Sequence, residues 1–236
     1  VSDSIPRVLA VIPARGGSKR LPRKNIRMLA GHPMLAYTIQ AAQQATTVTD
    51  FLVSTEDKEI QRVAKEYGAP TPFLRPAEIA GDAVRNIDVM LHALDFMEKE
   101  RGWQYDIILL MQPTSPVRDP NHLDEAVRLL ATSELDTIAS VKGPFKKRDP
   151  ILKAIRDGEL VTYCSEAGER EPFYVYNAAL YGMKRDYFVS ARKHVSERQI
   201  PLVMDQLHSV DVDTAEDFMV AEAYINHLKK NDFTVK

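Results

Sequence analysis

The chain holds one cysteine, Cys164, in 236 residues. A single thiol excludes an internal disulfide and a cysteine-based zinc site. Cys164 reads as a neutral thiol rather than a nucleophile, and the expected compartment is the cytoplasm. No apolar run is long enough to cross a bilayer, and no charged-then-apolar secretory pattern opens the chain. No membrane partner is expected. The formal net charge is -2, without the basic excess that general nucleic-acid binding needs. The six histidines show no metal-ligand spacing, and His92 and His227 fall within helical patterns. There is no nucleophile elbow, no repeat and no low-complexity segment. The G-x-x-x-x-G-K-[ST] and G-x-G-x-x-G loops are both missing.

What is present is ordinary globular composition, 44% hydrophobic and 27% charged, enough to bury a core. Residues 1–236 are expected to form one domain. Apolar strands alternate with helical patterns, which predicts an α/β fold with a mostly parallel sheet. Strands are expected at Val8 to Ile12, Phe51 to Ser54, Ile107 to Met111, Ile138 to Val141, Ala178 to Tyr181 and His208 to Val212, the last two read as parallel. Helices are expected at Pro33 to Ala45, after a Thr55 cap, at Ile87 to Met97, after the Asp119-Pro120 start, and after a Thr214 cap. The rhythm breaks from Gly143 to about Tyr176. Short β-like pieces there, Leu152 to Ile155 and Leu160 to Tyr163, predict an inserted arm.

Four stretches carry chemistry. The first strand flows into Arg15-Gly16-Gly17-Ser18-Lys19-Arg20, then Pro22-Arg23-Lys24-Asn25. Glycines let a backbone close around a ligand, and N–H groups with fixed cations hold an anion. Ligands of open α/β sheets bind beyond the carboxyl ends of strands, so this loop is expected to take a nucleoside triphosphate. In Asp211-Val212-Asp213 the carboxylates are two apart and share a face if the segment is extended. They suit one hard cation such as Mg²⁺ shared with substrate phosphates; the alternative is that Asp213 and Thr214 cap the next helix. After the third strand, Gln112, Thr114 and Ser115 stand between prolines. They either hydrogen-bond a polyhydroxylated substrate or form a mere turn. Arg75, followed by Glu78, Asp82 and Asn86, meets phosphate or base, or makes a surface ion pair.

Together, Ile12-Pro13-Ala14-Arg15-Gly16-Gly17-Ser18-Lys19-Arg20-Leu21-Pro22-Arg23-Lys24-Asn25, Leu74-Arg75-Pro76-Ala77-Glu78, Gln112-Pro113-Thr114-Ser115-Pro116-Val117-Arg118 and Asp211-Val212-Asp213-Thr214 resemble, in order, the signatures of the acylneuraminate cytidylyltransferases. The resemblance implies a Rossmann-like nucleotidyltransferase three-layer sandwich with a protruding dimerisation arm at about 143–176, hence a homodimer. It implies transfer of CMP from CTP to a nonulosonic sugar acid, with release of pyrophosphate. Arg15, Lys19 and Lys24 are then expected to hold the triphosphate within a nucleotide site that includes Gly16 and Ser18. The Ala14 backbone, Asn25, Arg75 and Asn86 surround cytosine and ribose. Gln112, Thr114, Ser115, Tyr176 and Asn177 face the sugar acid. Asp211 and Asp213 hold Mg²⁺, and Arg15, Lys19 and Asp211 are the catalytic set. The chain departs from the sialic acid members at Val175, where they carry arginine, and at Ala178, where they carry glycine. The departure implies that Lys142, Lys146 or Arg170 holds the carboxylate or acyl group. It admits a pseudaminic or legionaminic acceptor as readily as N-acetylneuraminate. Alternatives are an enzyme for a sugar 1-phosphate or a shorter ulosonate, and a nucleotide-binding regulatory domain without turnover.

Overall fold

Val8 to Ile12 lose all solvent contact, as in a central strand covered on both faces. They belong to β1 (Val8–Pro13) of the computed structural model, which describes residues 5–18, 20–81, 83–145, 153–156, 159–162 and 173–229. The remaining elements are β2 (Met28–Leu29), β3 (His32–Pro33), α1 (Met34–Gln44), β4 (Asp50–Ser54), α2 (Lys58–Glu66), α3 (Asn86–Arg101), β5 (Ile107–Met111), α4 (Pro120–Thr132), β6 (Thr137–Phe145), β7 (Lys153–Arg156), β8 (Glu159–Thr162), β9 (Phe173–Lys184), α5 (Arg185–Ala191), β10 (Ile200–Met204) and α6 (Ala215–Lys229). The main sheet runs β10-β6-β9-β5-β1-β4. It is mixed: β1 pairs in parallel with β4 and β5, β10 pairs in parallel with β6, and β9 runs antiparallel between β5 and β6.

Burial divides the sheet into two apolar faces. Val8, Ala10 and Ile12 pack with Leu35 and Ile39 of α1, Ile60 of α2 and Leu123 and Val127 of α4. Leu9 and Val11 pack on the other face with Met90 and Leu94 of α3 and Phe188 of α5. Strand alternation sends successive side chains to opposite layers, so the two helix layers and the sheet make a three-layer sandwich. A third cluster joins Met34 and Tyr37 of α1 to Phe218, Ala221 and Ile225 of α6.

Several sequence expectations are corrected. Asp57, not Thr55, caps α2: its Oδ1 accepts from the N–H groups of Glu59 (2.8 Å) and Ile60 (3.0 Å). Helix α1 begins one residue late, at Met34, because Pro33 closes the small antiparallel β2–β3 pair. Ala178 to Tyr181 belongs to an antiparallel strand, because β9 returns beside β6 without the crossover that a parallel pair needs. His208 to Val212 is not a strand; the regular segment is β10, just before it. Pro201 fits within β10 because that strand lies at the sheet edge, where a missing N–H costs little. Thr214 does cap α6, in reciprocal bonds with Asp217. In the region expected to be an arm, β7 and β8 form a separate antiparallel pair, and Phe145 of β6 opposes Phe173 of β9. Cys164, Lys146 and Arg170 lie outside the described residues.

The middle of β9 is irregular. Between the Ala139–Tyr181 and Val141–Tyr176 pairings, β6 advances two residues while β9 advances five. This bulge places Ala178 at φ 59°, a left-handed conformation that costs a residue with Cβ about 1–2 kcal/mol. Local bonds hold it. Asn177 Oδ1 accepts from Ala179 N, and Ser140 Oγ accepts from Leu180 N at 2.8 Å. Glycine loses about 0.5–1 kcal/mol of this advantage through unfolded-chain entropy. Ala178→Gly is therefore expected to stabilise by roughly 0.5–1 kcal/mol and raise Tm by about 2–3 °C. A thermal melt in which the variant matches or falls below the parent contradicts the strain.

Helix α4 opens with a capping box in which Asp119 Oδ1 accepts from Asn121 N and His122 Nδ1 accepts from Asp119 N. Burial first, then His208 nearby, lowers the His122 pKa from 6.5 to about 4; Asp119 and Asp205 oppose the shift, and Arg118 adds to it. Only the neutral ring can accept at Nδ1. The unfolded chain therefore binds the extra proton between the two values, and stability falls as pH drops through that window. The expected loss from this group is about 2 kcal/mol between about pH 7 and about pH 5. His122→Gln keeps an acceptor at this position and is expected to flatten the slope of Tm against pH. An unchanged slope contradicts the assignment.

Candidate functional site

The carboxyl ends of β1, β4 and β5 open onto a cavity of about 590 Å³. Its cationic wall comes from the first loop: Arg15, Ser18, Arg20 and Lys24 line it, with Asn25 beneath. Asn25 is buried, and its Nδ2 donates to Arg15 O at 2.9 Å. That bond fixes the backbone from which Arg15 projects. Ala14 is fully buried, its N–H bonded to Ser54 O at 3.0 Å. Gly16 lies behind the lining, its N–H bonded to Glu56 Oε1 at 2.7 Å. A Cβ at Gly16 collides with the Asp57 carboxylate, so glycine is required by close approach. Lys19 lies outside the described residues.

The acidic wall comes from the segment before α6, where Asp211 and Asp213 both line the cavity. Asp213 accepts from Lys24 Nζ at 3.0 Å and from Arg20 Nη1 at 2.9 Å. Lys24 Nζ also donates to Val212 O at 2.6 Å. The segment is tied to the loop after β5 by Val212 N donating to Thr114 O at 2.7 Å. The capping reading of Asp213 does not hold, because its carboxylate faces the cations while Thr214 and Asp217 make the cap. Asp211 is different. Its Oδ1 is buried without a hydrogen-bond partner. Burial chiefly raises its pKa; the Thr114 hydroxyl lowers it, and the charge of Asp213 raises it.

The far wall holds Arg75, Val84, Asn86 and Val89. Arg75 is buried rather than on the surface. Its Nη2 donates to Ser54 O at 2.5 Å, and its Nη1 lies 3.5 Å from Glu56 Oε2. Burial, more than the neighbouring Arg15, lowers its pKa, and Glu56 opposes this. Asp82 lies outside the described residues. Gln112 and Thr114 line the cavity beside Pro113. Ser115, grouped with them from the sequence, is fully buried and outside the lining, because its N–H turns back to Gln112 O. Asn177 is buried and donates to Ser209 Oγ at 2.9 Å, bracing the segment that leads to Asp211. Tyr176 is 54% exposed, its hydroxyl accepting from Gln199. Lys142 stands directly opposite Val175 in the β6–β9 register.

Sequence reasoning missed three residues. Glu56 and Asp57 follow the end of β4, and both grip the first loop: Glu56 through Gly16, and Asp57 through Arg23 Nη1 at 2.5 Å. Glu59 holds the same Arg23. The rule that flagged the loops after β1 and β5 applies equally to the end of β4. The third, Arg118, closes the Gln112-to-Arg118 stretch and is fully buried.

A glycine-bearing cationic loop at the end of a first parallel strand, faced by a carboxylate pair, defines a nucleotidyltransferase. A family model described as Cytidylyltransferase matches residues 9–231. The chain is 35% identical over 225 residues to the CMP-N,N'-diacetyllegionaminic acid synthase of Legionella pneumophila, covering 92% of this chain and 95% of that protein. It is 32% identical over 221 residues to the N-acylneuraminate cytidylyltransferase of Escherichia coli, covering 91% of this chain and spanning about half, 51%, of that protein. Its fold matches the structure of a CMP:2-keto-3-deoxy-manno-octonic acid synthetase complexed with CTP, with a TM-score of 0.68, 17% identity, and coverage of 94% and 99% of the two chains. The chain belongs to the acylneuraminate-type cytidylyltransferase family and is a nucleotidyltransferase enzyme. Among the described residues no helix is long and apolar enough to cross a membrane.

In metal-free protein Asp211 is expected to titrate above the ordinary carboxylate value of about 4. Asp213→Asn is expected to bring it down, since a like charge goes and Lys24 is released. Thr114→Val is expected to push it further up. Carboxyl-carbon NMR titration reads both, and a shift of opposite sign in either variant contradicts the geometry.

Proposed function

We propose that this enzyme transfers CMP from CTP to a nonulosonic, sialic-acid-like sugar acid and releases pyrophosphate. The observation that carries the reading is one cavity lined by Lys24, Arg15, Asp211 and Asp213, with Gln112 and Thr114 on the same rim. The triphosphate replaces Asp213 as the partner of Arg20 and Lys24. Arg15 and Ser18 take further phosphate oxygens, Gly16 gives the loop its close turn, and Lys19 is assigned to the same task as Arg15. The Ala14 backbone, Asn25, Arg75 and Asn86 surround ribose and base, while Gln112, Thr114, Tyr176 and Asn177 serve the acceptor side.

The acceptor's anomeric hydroxyl attacks the α-phosphorus in line. A new P–O bond forms as the hydroxyl gives up its proton to solvent, the bond to the β-phosphate oxygen breaks, and the cations neutralise the charge gathering on the departing pyrophosphate. The buried, unpartnered Asp211 Oδ1 fits a divalent cation, which Asp213 joins once released from its pairing. Two carboxylates suit Mg²⁺, whose remaining positions phosphate oxygens and water would fill, rather than a protein cage. Bound there, Mg²⁺ supplies charge neutralisation at the α-phosphate and acidifies the attacking hydroxyl.

The Legionella relative, nearly coextensive with this chain, and Val175 in place of arginine favour a legionaminic-type acceptor, with Lys142 across the strand from Val175 meeting its carboxylate. Tyr174, Val175 and Tyr176, all exposed on β9, support a homodimer built on this part of the chain, active in the cytoplasm. Pyrophosphate release across CTP, ATP, GTP and UTP with legionaminic, pseudaminic and sialic acids tests the reading. CTP with one or more of these acids is expected to turn over, EDTA to abolish turnover, and Lys19→Ala or Asp211→Asn to lower kcat about 10²–10³-fold. CTP-independent turnover, or full activity in EDTA, refutes it.

A further inference from the structure

Among the described residues Arg118 is the largest side chain that the fold removes from solvent. Its Nη2 donates to Gln112 O at 2.9 Å and also to Ala179 O, while Nε and Nη1 have no partner. No carboxylate offsets its charge: burial alone lowers its pKa to about 9, so it remains a cation at neutral pH. A buried guanidinium without an acid is costly, and an apolar side chain of similar size is often as good or better for stability.

The position of Arg118 explains what the charge does. The β5–β9 ladder ends at the Met111–Leu180 pair. The next rung falls at Gln112 and Ala179, and there Nη2 of the guanidinium joins the two carbonyl oxygens. It therefore stands where the ladder stops, next to a residue, Gln112, that lines the cavity. Gln112 O also accepts from Ser115 N, and Thr114 O from Val212 N. The turn held by Arg118 thus carries Gln112 and Thr114 and abuts Asp211.

We propose that Arg118 is a positioning residue for the acceptor, joining the end of β5 to β9 so that Gln112 and Thr114 meet the sugar acid. This rests on the acceptor-side role given to Gln112 and Thr114 above. The nucleotide side is held by other contacts, through Asn25, Glu56 and Asp57, which Arg118 does not touch.

The test uses CTP and the acid with the highest kcat/KM in the panel. In Arg118→Met the KM for the acid is expected to rise about tenfold or more, the scale of losing hydrogen bonds from a charged donor. KM for CTP is expected to stay within about twofold, with Tm equal to or above the parent's. Arg118→Lys restores one donor without the planar fork and is expected to fall between. The Gln112→Ala control keeps the carbonyl that Arg118 binds. If it leaves the acid's KM unchanged, the acceptor reading fails. If it raises that KM while Arg118→Met does not, the positioning role fails. Equal changes in both KM values, or loss of folding in both Arg118 variants, also overturn the proposal, since a purely structural residue behaves that way.

Discussion

The ion pair between Lys24 and Asp213, 189 residues apart in the chain, holds the site together. Lys24 stands at the end of the first loop and Asp213 at the threshold of the last helix, so one contact at 3.0 Å closes the cavity between the two ends of the fold. Cations gathered for a polyanion repel one another when it is away. Here several have a carboxylate: Asp213 for Lys24 and Arg20, Asp57 and Glu59 for Arg23, Glu56 for Arg75. The protein itself supplies negative charge to the loop through these carboxylates. These partners are partly solvated, so each pair is modest in strength and can be exchanged for phosphate.

The parts of the fold with one strong local signal were legible in the sequence. Val8 to Ile12 and Ile107 to Met111 are apolar throughout and sit in the sheet centre. Asp119-Pro120 starts a helix wherever it falls. The four chemical stretches were legible too, because glycine, proline and charge cluster only where strands end. What could not be read depended on pairing. Nothing in Ala178 to Tyr181 distinguishes a parallel from an antiparallel neighbour. Pro201 argues against a strand until β10 is seen to be an edge. Ser115 looks like Thr114 in sequence, yet one turn of backbone sends the first inward and leaves the second on the rim. Arg118 was visible as the last residue of a motif, but only the end of the β5–β9 ladder gives its charge a purpose.

Strain and desolvation are concentrated on one side of the cavity. Ala178 in its left-handed conformation, the acid-free Arg118 and the unpartnered oxygen of Asp211 all lie where β9 meets β5 and the segment before α6. Across the cavity, by contrast, Arg20, Lys24 and Arg75 each face a carboxylate. A cavity with one settled wall and one poised wall has an inherent direction, since new partners gain most on the poised side.

The pairing of Phe145 with Phe173 has an architectural consequence. Strand β6 runs parallel to β1, and β9 returns against it, so the two ends of the intervening stretch meet at one rung of the sheet. A segment anchored in this way is interchangeable. It can grow, shrink or be replaced without moving any strand by a single register step. Variation in that segment is therefore separable from the parallel core of β1, β4 and β5.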